Sequence, residues 1–247
     1  MKSWQIDINC DVGEGIGNET LLFPHISSCN IACGGHAGDI ESMTEVVRLA
    51  KRYEVKIGAH PSYPDKQNFG REVIKLSDSA LKDSIRQQMA DFERVLRREK
   101  CSLHHIKAHG ALYNQTAKEV HLAKVYLEAL KTYKEKTLLY VPYGSIIAKI
   151  AKDLGFSFWY EAFADRNYTE GLQLVSRKKE NALIQEPDKV LKHILPMIKQ
   201  NQVVTVTGNI KEIKAQTYCV HGDTVSALEI LMYLSKELPN HQVQLQK

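Results

Sequence analysis

The sequence predicts an α/β protein folded as a single-domain (β/α) barrel over residues 1–247. Short strand-like apolar runs alternate with helical patterns of ten or more residues, which is typical of a parallel sheet covered by helices. The length of 247 residues fits one such unit, and no Gly/Ser- or Pro-rich linker divides the chain. Periodicity alone does not separate a closed barrel from an open doubly wound sheet, and we favour the barrel.

Eight strands are predicted from these runs. In chain order they cover residues 6–10, 30–33, 55–60, 105–109, 137–141, 158–163, 203–207 and 217–221. The segment 240–247 fits either a terminal strand or a frayed tail.

Helical patterns fill most of the intervals. Asp39 is a good N-cap for the helix after the second strand, and another helix begins near Ser77. Later helices are predicted over residues 118–133, 145–153, 188–200 and 224–236. Pro196 is expected to kink or split the helix over 188–200, because proline removes a backbone donor and crowds the preceding turn.

Composition argues against several classes of protein. The 33 basic and 29 acidic residues are spread along the chain, so a nucleic-acid partner is not expected. Charges stand where a signal peptide needs an apolar core, and no apolar run suggests a membrane span. Five irregularly spaced cysteines without a C-x-x-C pair argue against a disulfide framework or a thiolate zinc site, and predict a cytoplasmic protein.

Polar side chains share one face of three predicted strands. An antiparallel sheet would present such a face to water, whereas the intervening helices indicate a parallel sheet covered on its outer side. Inside a barrel these rows would be buried, which is costly unless the groups are paired or used in a site. The rows are Asp7, Asn9 and Asp11; Lys56, Gly58 and His60; and His105, Lys107 and His109.

Glycine-rich motifs with acidic residues or histidine follow the strands at their carboxyl ends, where ligand sites of parallel α/β folds form. Glycine permits sharp turns and close approach of the backbone to a ligand. We therefore predict one shared pocket. The motifs are DVGEG (11–15), IACGGHAGD (31–39), GAHPSYPD (58–65), KAHGALYN (107–114), EAFADR (161–166) and CVHGD (219–223).

Imidazoles and carboxylates in these motifs can form acid–base pairs or hold a divalent ion, and the sequence leaves the metal question open. The cations expected to meet an anionic group are Lys107, Arg71 and Arg166, although each could instead form an ordinary ion pair. The remaining histidines, among them His104 and His193, are assigned to surface or packing roles. The candidates are His36, His60, His109, His221, Asp11, Glu14, Asp39, Glu161, Asp165 and Asp223.

Two further sequence features do not indicate a phosphate-binding loop or a nucleophile. The run DVGEGIGN (11–18) is neither G-x-G-x-x-G nor a Walker A loop, so we interpret it as a flexible active-site loop. Cys10, Cys33 and Cys219 end strands and are expected to be small buried residues rather than nucleophiles.

The motifs jointly resemble the LamB/YcsF family, also described as the A subunit of 5-oxoprolinase. The matching runs are NCDVGEG, SCNIACGGHAGD, IGAHPSYPD with FGRE, IKAHGALYN, EAFADRNY and CVHGDT, in order from Asn9 to Thr224. This resemblance implies a seven-stranded barrel like that of NodB-type carbohydrate deacetylases. It also implies ATP-dependent opening of 5-oxo-L-proline to L-glutamate, with ATP as co-substrate and with partner subunits B and C.

Within the matching motifs, the resemblance implies two sets of site residues. The first set is assigned catalytic roles and comprises Asp11, His36, His60, His109, Glu161, Asp165 and His221. The second is assigned to binding substrate or phosphate and comprises Asp39, Asp65, Arg71, Lys107, Arg166 and Asp223. Asn9 and Glu14 are added to the second set from their own positions at and after the first strand.

The sequence departs from the family pattern at four positions. Gly35 replaces an expected aromatic residue and is predicted to enlarge the pocket, and Glu72 replaces a basic residue and is predicted to alter anion binding. Asn68 and Ala108 stand where glycine and proline are usual.

A mechanism follows from the implied reaction. A five-membered lactam is a resonance-stabilised amide, so phosphorylation of its carbonyl oxygen would make it a better electrophile. Lys107 and either Arg71 or Arg166 are predicted to offset developing charge. Asp11 and His109 are the first choices for activating water or moving a proton.

Two other functions stay open. One is a metal-dependent amide hydrolase or deacetylase that needs no ATP. The other is a non-catalytic subunit that binds substrate for its partners.

Overall fold

A computed structural model describes residues 3–224 and 226–246. Strands β1–β6 and β9 are parallel and close into a seven-stranded barrel, because β9 pairs with both β6 and β1. The closed barrel predicted from the sequence is confirmed. The strands are β1 (Trp4–Val12), β2 (Ser28–Ala32), β3 (Lys56–His60), β4 (His105–Ile106), β5 (Leu138–Pro142), β6 (Phe158–Phe163), β7 (Gln202–Val204), β8 (Ile210–Glu212), β9 (Thr217–Val220) and β10 (Val243–Leu245).

Helices follow most of the barrel strands. Asp39, Ser77 and Ser145 cap helices with their side chains, each accepting a hydrogen bond from a backbone N–H in the first turn. The helices are α1 (Glu19–Leu22), α2 (Ile40–Arg52), α3 (Asp78–Glu99), α4 (Gly110–Thr116), α5 (Val120–Ala129), α6 (Ile146–Asp153), α7 (Pro187–Gln200) and α8 (Ala227–Glu237). No helix among the described residues is long and apolar enough to cross a membrane.

Several predicted elements differ from the structure. The run over 203–207 does not enter the barrel, because β7 pairs with β8 as an antiparallel hairpin. Helix α7 continues through Pro196 without a split. The fourth strand ends at Ile106, and Gly110 begins the unpredicted helix α4. The helix predicted over 118–133 is α5 followed by a separate 3₁₀ turn, Lys131–Tyr133.

The C-terminal segment contains a strand, β10. Residues of β10 pair in parallel with the first residues of β1, with Trp4 opposite Val243. Helix α8 begins at Ala227, three residues after the predicted start, and residue 225 lies outside the described residues.

The polar rows lie inside the barrel. Asp7 and Asn9 of β1 are fully buried and contact residues on other strands, with both side chains hydrogen-bonded to Thr217 of β9. Since side chains alternate along a strand, Ile6, Ile8 and Cys10 point to the opposite side and join the apolar layer beneath the helices. The fold therefore separates an apolar outer layer from a polar interior.

Gly58 makes room for a buried ring in that interior. A Cβ atom at Gly58 would lie 2.1 Å from His105 Nε2. The His105 ring is stacked on Tyr140 with centroids 3.8 Å apart, and its Nε2 donates to Asn30 Oδ1 at 2.7 Å. The ring is held from two sides and cannot move aside without breaking these contacts.

Gly58→Ala is therefore expected to lower the free energy of unfolding by about 1–3 kcal/mol through overpacking. Urea denaturation followed by circular dichroism measures the loss. Gly171→Ala is the matched control, because a Cβ atom there meets nothing within 4 Å. Equal stability of the two variants would contradict the packing argument.

Candidate active site

Lys107 is the centre of a buried ionic network at the carboxyl ends of the strands. Its side chain is 3% exposed, and its Nζ lies 2.9 Å from Asp11 Oδ1 and 2.9 Å from Glu161 Oε1. The same Nζ lies 3.1 Å from Cys219 Sγ. Three strand ends therefore converge on one ammonium group that belongs to the residue after β4.

Opposite charges fix the protonation of this network. Burial alone would lower the pKa of Lys107, but the carboxylates of Asp11 and Glu161 outweigh it and hold the pKa well above its ordinary value. Burial would raise the pKa of Asp11, but Lys107 and His60 hold it well below its usual range. Lys107 is therefore charged and Asp11 ionised at neutral pH.

The side-chain amides of Asn9 and Asn30 hydrogen-bond to the carboxylates of this network. Asn9 Nδ2 donates to Glu161 Oε1 at 2.9 Å and to Thr217 Oγ1 at 2.7 Å. Asn30 Nδ2 donates to Asn9 Oδ1 at 2.7 Å and to Asp11 Oδ1 at 2.8 Å. Asn9 is fully buried with both of its amide hydrogens engaged, so it positions Glu161, and the binding role predicted for it stays a prediction.

Three histidines and Glu14 form a second group beside Asp11. The rings of His36 and His109 are stacked with centroids 3.6 Å apart, and His109 Nδ1 lies 3.0 Å from His60 Nε2. Glu14 Oε1 accepts from His36 Nε2 at 3.0 Å. The four predicted residues therefore do meet in one place.

Burial sets the protonation of this group. It lowers the pKa of His36 to about 2, with His60 adding to the effect, and lowers the pKa of His109 well below its ordinary value. Burial and the neighbouring charge of Asp11 raise the pKa of Glu14 to about 7. His36 and His109 are therefore neutral rings at physiological pH.

His221 and Asp165 form a hydrogen-bonded pair on the other side of Asp11. His221 Nδ1 lies 3.0 Å from each oxygen of Asp165, and the His221 backbone N–H donates to Asp165 Oδ2 at 3.0 Å. Burial would raise the pKa of Asp165, but His221 holds it below its usual value. The ionised carboxylate thus holds a His221 proton on Nδ1 and fixes the orientation of the ring.

Two arginines lie toward the solvent side of the site. Arg71 forms an ion pair with Asp223, and Arg177 Nη1 lies 3.4 Å from the same carboxylate. The side chains of both arginines are partly exposed, whereas Lys107 is not. They are accordingly better placed than Lys107 to meet an anionic ligand that enters from solvent.

Two predicted binding residues lie elsewhere. Asp39 caps α2 by accepting from the Ser42 backbone N–H at 2.8 Å, in an exposed bond. Arg166 donates through its guanidinium to the backbone oxygens of Val175 and Ala182, so it organises the loop after β6. Both residues use their polar groups for local structure in this structure, and their binding roles stay predictions.

Asp65 also shapes a loop. Its Oδ1 accepts from the backbone N–H and the side-chain amide of Asn68, both at 3.1 Å. Its Oδ2 is buried without a hydrogen-bond partner among the described residues. The loop that Asp65 organises contains Phe69, whose backbone oxygen accepts from His109 Nε2 at 2.9 Å. Asp65 therefore helps to position His109 through the backbone of this loop.

Gly35 does not enlarge the pocket. A Cβ atom there would lie 2.4 Å from Ser62 Oγ and 2.5 Å from Gln88 Oε1, so these side chains already fill the adjacent space. The prediction that Gly35 widens the site is wrong.

Sequence reasoning missed Asn30 and Arg177, and it placed His105 on the interior face without assigning it a role. Asn30 lies on the interior face of β2, where polar alternation could have indicated it. Arg177 lies in the long segment between β6 and α7, where no periodic pattern points to a site. The cysteines behave as predicted, since burial raises the pKa of Cys219 despite the nearby Lys107.

Ligand atoms converge in two groups that could hold a cation. Asp11, Glu14, His60 and His109 form one, and Asp11, Cys219 and His221 form the other, with the ligand atoms of each group within 4.8 Å of one another. Chemically, the site offers an oriented imidazole, a buried ammonium and a set of unprotonated nitrogen and oxygen atoms.

Comparison with other proteins gives consistent matches along the chain. Residues 6–247 match the model of the LamB/YcsF family. A Clostridium beijerinckii protein, named as the A subunit of 5-oxoprolinase, is 36% identical over 247 residues, covering 98% of this chain and 97% of its own. A Staphylococcus saprophyticus protein of the same name is 38% identical over 240 residues, covering 95% of each chain. The crystal structure of a lactam utilization protein from Thermus thermophilus has a TM-score of 0.91 and 31% identity, covering 98% of this chain and 99% of that one.

Proposed function

The chain belongs to the LamB/YcsF family, and from that premise we propose that it acts in 5-oxoproline metabolism. In this proposal it is the A subunit of an ATP-dependent 5-oxoprolinase that opens 5-oxo-L-proline to L-glutamate. The observation that carries the proposal is the match over nearly the whole chain to relatives that bear the name of that subunit. Because those relatives are named as subunits, partner subunits B and C belong to the proposal.

The reaction needs an activated carbonyl and a proton for the leaving nitrogen. Transfer of a phosphoryl group from ATP to the lactam oxygen makes the carbonyl carbon electrophilic. Water then adds to that carbon, and the ring C–N bond breaks as the nitrogen takes a proton, which leaves an acyl phosphate on the opened chain. A second water molecule cleaves this acyl phosphate and releases phosphate and the glutamate carboxylate. In this proposal, this chain supplies a group that moves protons and a place for the anionic substrate.

His221 is the residue best placed to move protons. Asp165 holds its proton on Nδ1, so Nε2 is free to accept one from water. Asp11 is less suited, because Lys107 and Asn30 already hold its Oδ1. His109 is also less suited, because its Nε2 is engaged by the Phe69 backbone oxygen.

Arg71 and Arg177 are proposed to receive the anionic group, either the substrate carboxylate or a phosphate of ATP. Both now share the carboxylate of Asp223, which an incoming anion could replace. Lys107, enclosed by Asp11 and Glu161, keeps those carboxylates ionised and in place.

The test is glutamate formation from 5-oxoproline, with and without ATP, by this chain alone and together with subunits B and C. We expect glutamate only when ATP and the partners are both present. A non-hydrolysable ATP analogue is the control for nucleotide hydrolysis.

Two other outcomes would replace the proposal. Glutamate formation that needs no ATP and is stopped by a chelator would identify a metal-dependent amide hydrolase, an alternative supported by the convergence of Asp11, Glu14, His60 and His109. Substrate binding without turnover in every combination would identify a non-catalytic binding subunit.

A further inference from the structure

We propose that Arg166 and Glu170 are positioning residues that hold Arg177 on the solvent side of the site, and that the β7–β8 hairpin supports them. All three residues lie in the segment between β6 and α7, residues 164–186, called here the β6–α7 loop. Their effect on substrate rests on the proposed function, in which Arg177 receives the anionic group.

Arg166 holds together the two ends of the tip of this loop. The tip, residues 176–181, lies between Val175 and Ala182, which are both buried. The Arg166 guanidinium donates from Nη2 to the Val175 backbone oxygen at 2.6 Å and from Nε to the Ala182 backbone oxygen at 3.3 Å. The Asn167 backbone N–H donates to the same Ala182 oxygen at 3.1 Å, and its carbonyl accepts from the Val175 N–H at 2.9 Å. The tip is therefore closed at its base by one side chain and one peptide unit.

Arg177 belongs to this tip and reaches the loop after β9. Its Nη1 lies 3.4 Å from an oxygen of Asp223, and its side chain is 30% exposed. Ordering a mobile loop around a ligand costs conformational entropy, and a loop that is already ordered avoids that cost. A closed tip therefore presents the Arg177 guanidinium to an anion at a lower entropic cost than a mobile one.

Glu170 joins the outer part of the β6–α7 loop to the β7–β8 hairpin. Its Oε1 accepts from the Asn209 side-chain amide at 2.7 Å, from Thr205 Oγ1 at 3.2 Å and from the Thr207 hydroxyl. Its Oε2 lies 3.0 Å from Lys211 Nζ. Hydrogen bonds from Thr207 and Asn209 lower the pKa of Glu170 to about 2, so the carboxylate is ionised at neutral pH. Hydrogen bonds to an ionised group are stronger than neutral ones, so this contact is the main tie between loop and hairpin.

Tyr168 connects the hairpin to the barrel at a second point. The Val206 backbone N–H donates to the Tyr168 backbone oxygen at 2.9 Å. The Tyr168 side chain is buried, and its hydroxyl accepts from the Phe163 backbone N–H at 2.7 Å, at the end of β6. The hairpin forms a sheet of its own, and the barrel closes without it. Support of the β6–α7 loop is the role that we assign to it.

The tip carries its own probe of order. Trypsin cleaves after arginine and lysine, and Arg177 is followed by the exposed Lys178 and Lys179. A protease needs the chain to open locally, so the cleavage rate follows the population of the open loop. Faster cleavage at these three residues therefore measures loss of order in the tip without any ligand.

The first experiment is limited trypsin digestion of the full chain, with the fragments identified by mass spectrometry. Glu170→Ala should speed cleavage in the tip by about tenfold, because it removes the charged contact that holds the loop to the hairpin. Arg166→Lys should act in the same direction, because an ammonium lacks the planar fork that reaches both carbonyls. Glu212→Ala is the matched control, since this exposed glutamate lies on the same hairpin and contacts Lys214 and Tyr143 instead of the loop.

The second experiment is steady-state kinetics of the complex reconstituted with subunits B and C. Glu170→Ala should raise KM for 5-oxoproline by about tenfold and change kcat less, because it displaces a charged binding group and leaves His221 and Asp165 in place. On an Arg177→Gln background the same substitution should add nothing to KM, because the group that Glu170 positions is already absent. A merely structural role would not produce this dependence on Arg177.

Circular dichroism establishes that each variant is folded, and the side chain of Glu170 is 41% exposed, so its variant serves if Arg166→Lys does not fold. Equal cleavage rates in Glu170→Ala and the unmodified chain would overturn the proposal. Faster cleavage with an unchanged KM, or a further rise of KM on the Arg177→Gln background, would show that the tip does not position Arg177 for substrate. Absence of turnover in every chain would refute the proposed function instead, and the digestion alone would still decide whether Glu170 holds the loop.

Discussion

Lys107→Met is expected to lower the free energy of unfolding by about 3–5 kcal/mol, because it leaves buried carboxylates without their cation. The Lys107 ammonium lies 2.9 Å from oxygens of both Asp11 and Glu161, and all three side chains are buried. Methionine fills much of the same volume, so the loss would come from charge rather than from a cavity. Urea denaturation in the presence of a chelator measures the effect on the metal-free chain.

Two variants separate the charge effect from other causes. Lys107→Met combined with Glu161→Gln should be more stable than Lys107→Met alone, because one uncompensated charge is gone. Lys131→Met changes an ion pair with Glu128 in which the lysine side chain is 72% exposed, so it should alter stability by at most about 0.5 kcal/mol. Equal destabilisation by Lys107→Met and Lys131→Met would refute the role of the buried network.

Asp165→Asn is expected to reduce kcat for glutamate formation by the reconstituted complex by about 10²–10⁴-fold. The Asp165 carboxylate accepts from both the His221 ring and the His221 backbone N–H. Asparagine carries no charge and presents an NH₂ donor in place of one carboxylate oxygen, so the His221 proton would no longer be held on Nδ1. Steady-state kinetics measures the loss, and KM should change less than kcat because the bound anion contacts other residues.

The hydrogen bond between His221 and Asp165 predicts that the losses of activity caused by mutating the two residues are not additive. His221→Gln and the double variant should lose about as much activity as Asp165→Asn, since residues that act as one unit do not contribute independently. Asp188→Asn is the matched control, because Asp188 is exposed and pairs with Lys192 on α7. Multiplicative losses in the double variant would show that His221 and Asp165 act separately.

The barrel was predictable because the sequence patterns that indicate its strands are local and recur along the chain. In β1, the alternation of Asp7, Asn9 and Asp11 with apolar neighbours indicated the interior face directly, and the structure has these residues buried there. The run over 203–207 is also a strand-like apolar run. Its first residues belong to β7, which pairs with β8 in an antiparallel hairpin and does not enter the barrel. The pairing partner of a strand, whether near or far along the chain, cannot be read from the composition of that strand.

The site was predictable as a set of strand ends but not residue by residue. Asp39 fits equally as a helix cap or as a ligand, and only its hydrogen bond to Ser42 decides between them. Arg166 is next to Asp165 in sequence, yet its guanidinium points to the backbone oxygens of Val175 and Ala182. The direction of a side chain in a loop depends on tertiary contacts that motif spacing does not encode.

One edge of β1 has a consequence for how the chain is made. That edge is covered first by β10 at Trp4 and then by β9 at Asp7, both of which come from the last part of the chain. During synthesis on a ribosome, β1 therefore emerges well before β9 and β10, and the backbone groups on this edge have no strand partner until those two strands follow. An exposed strand edge of this kind can pair with other nascent chains, so production of this protein should depend on protection by chaperones during elongation.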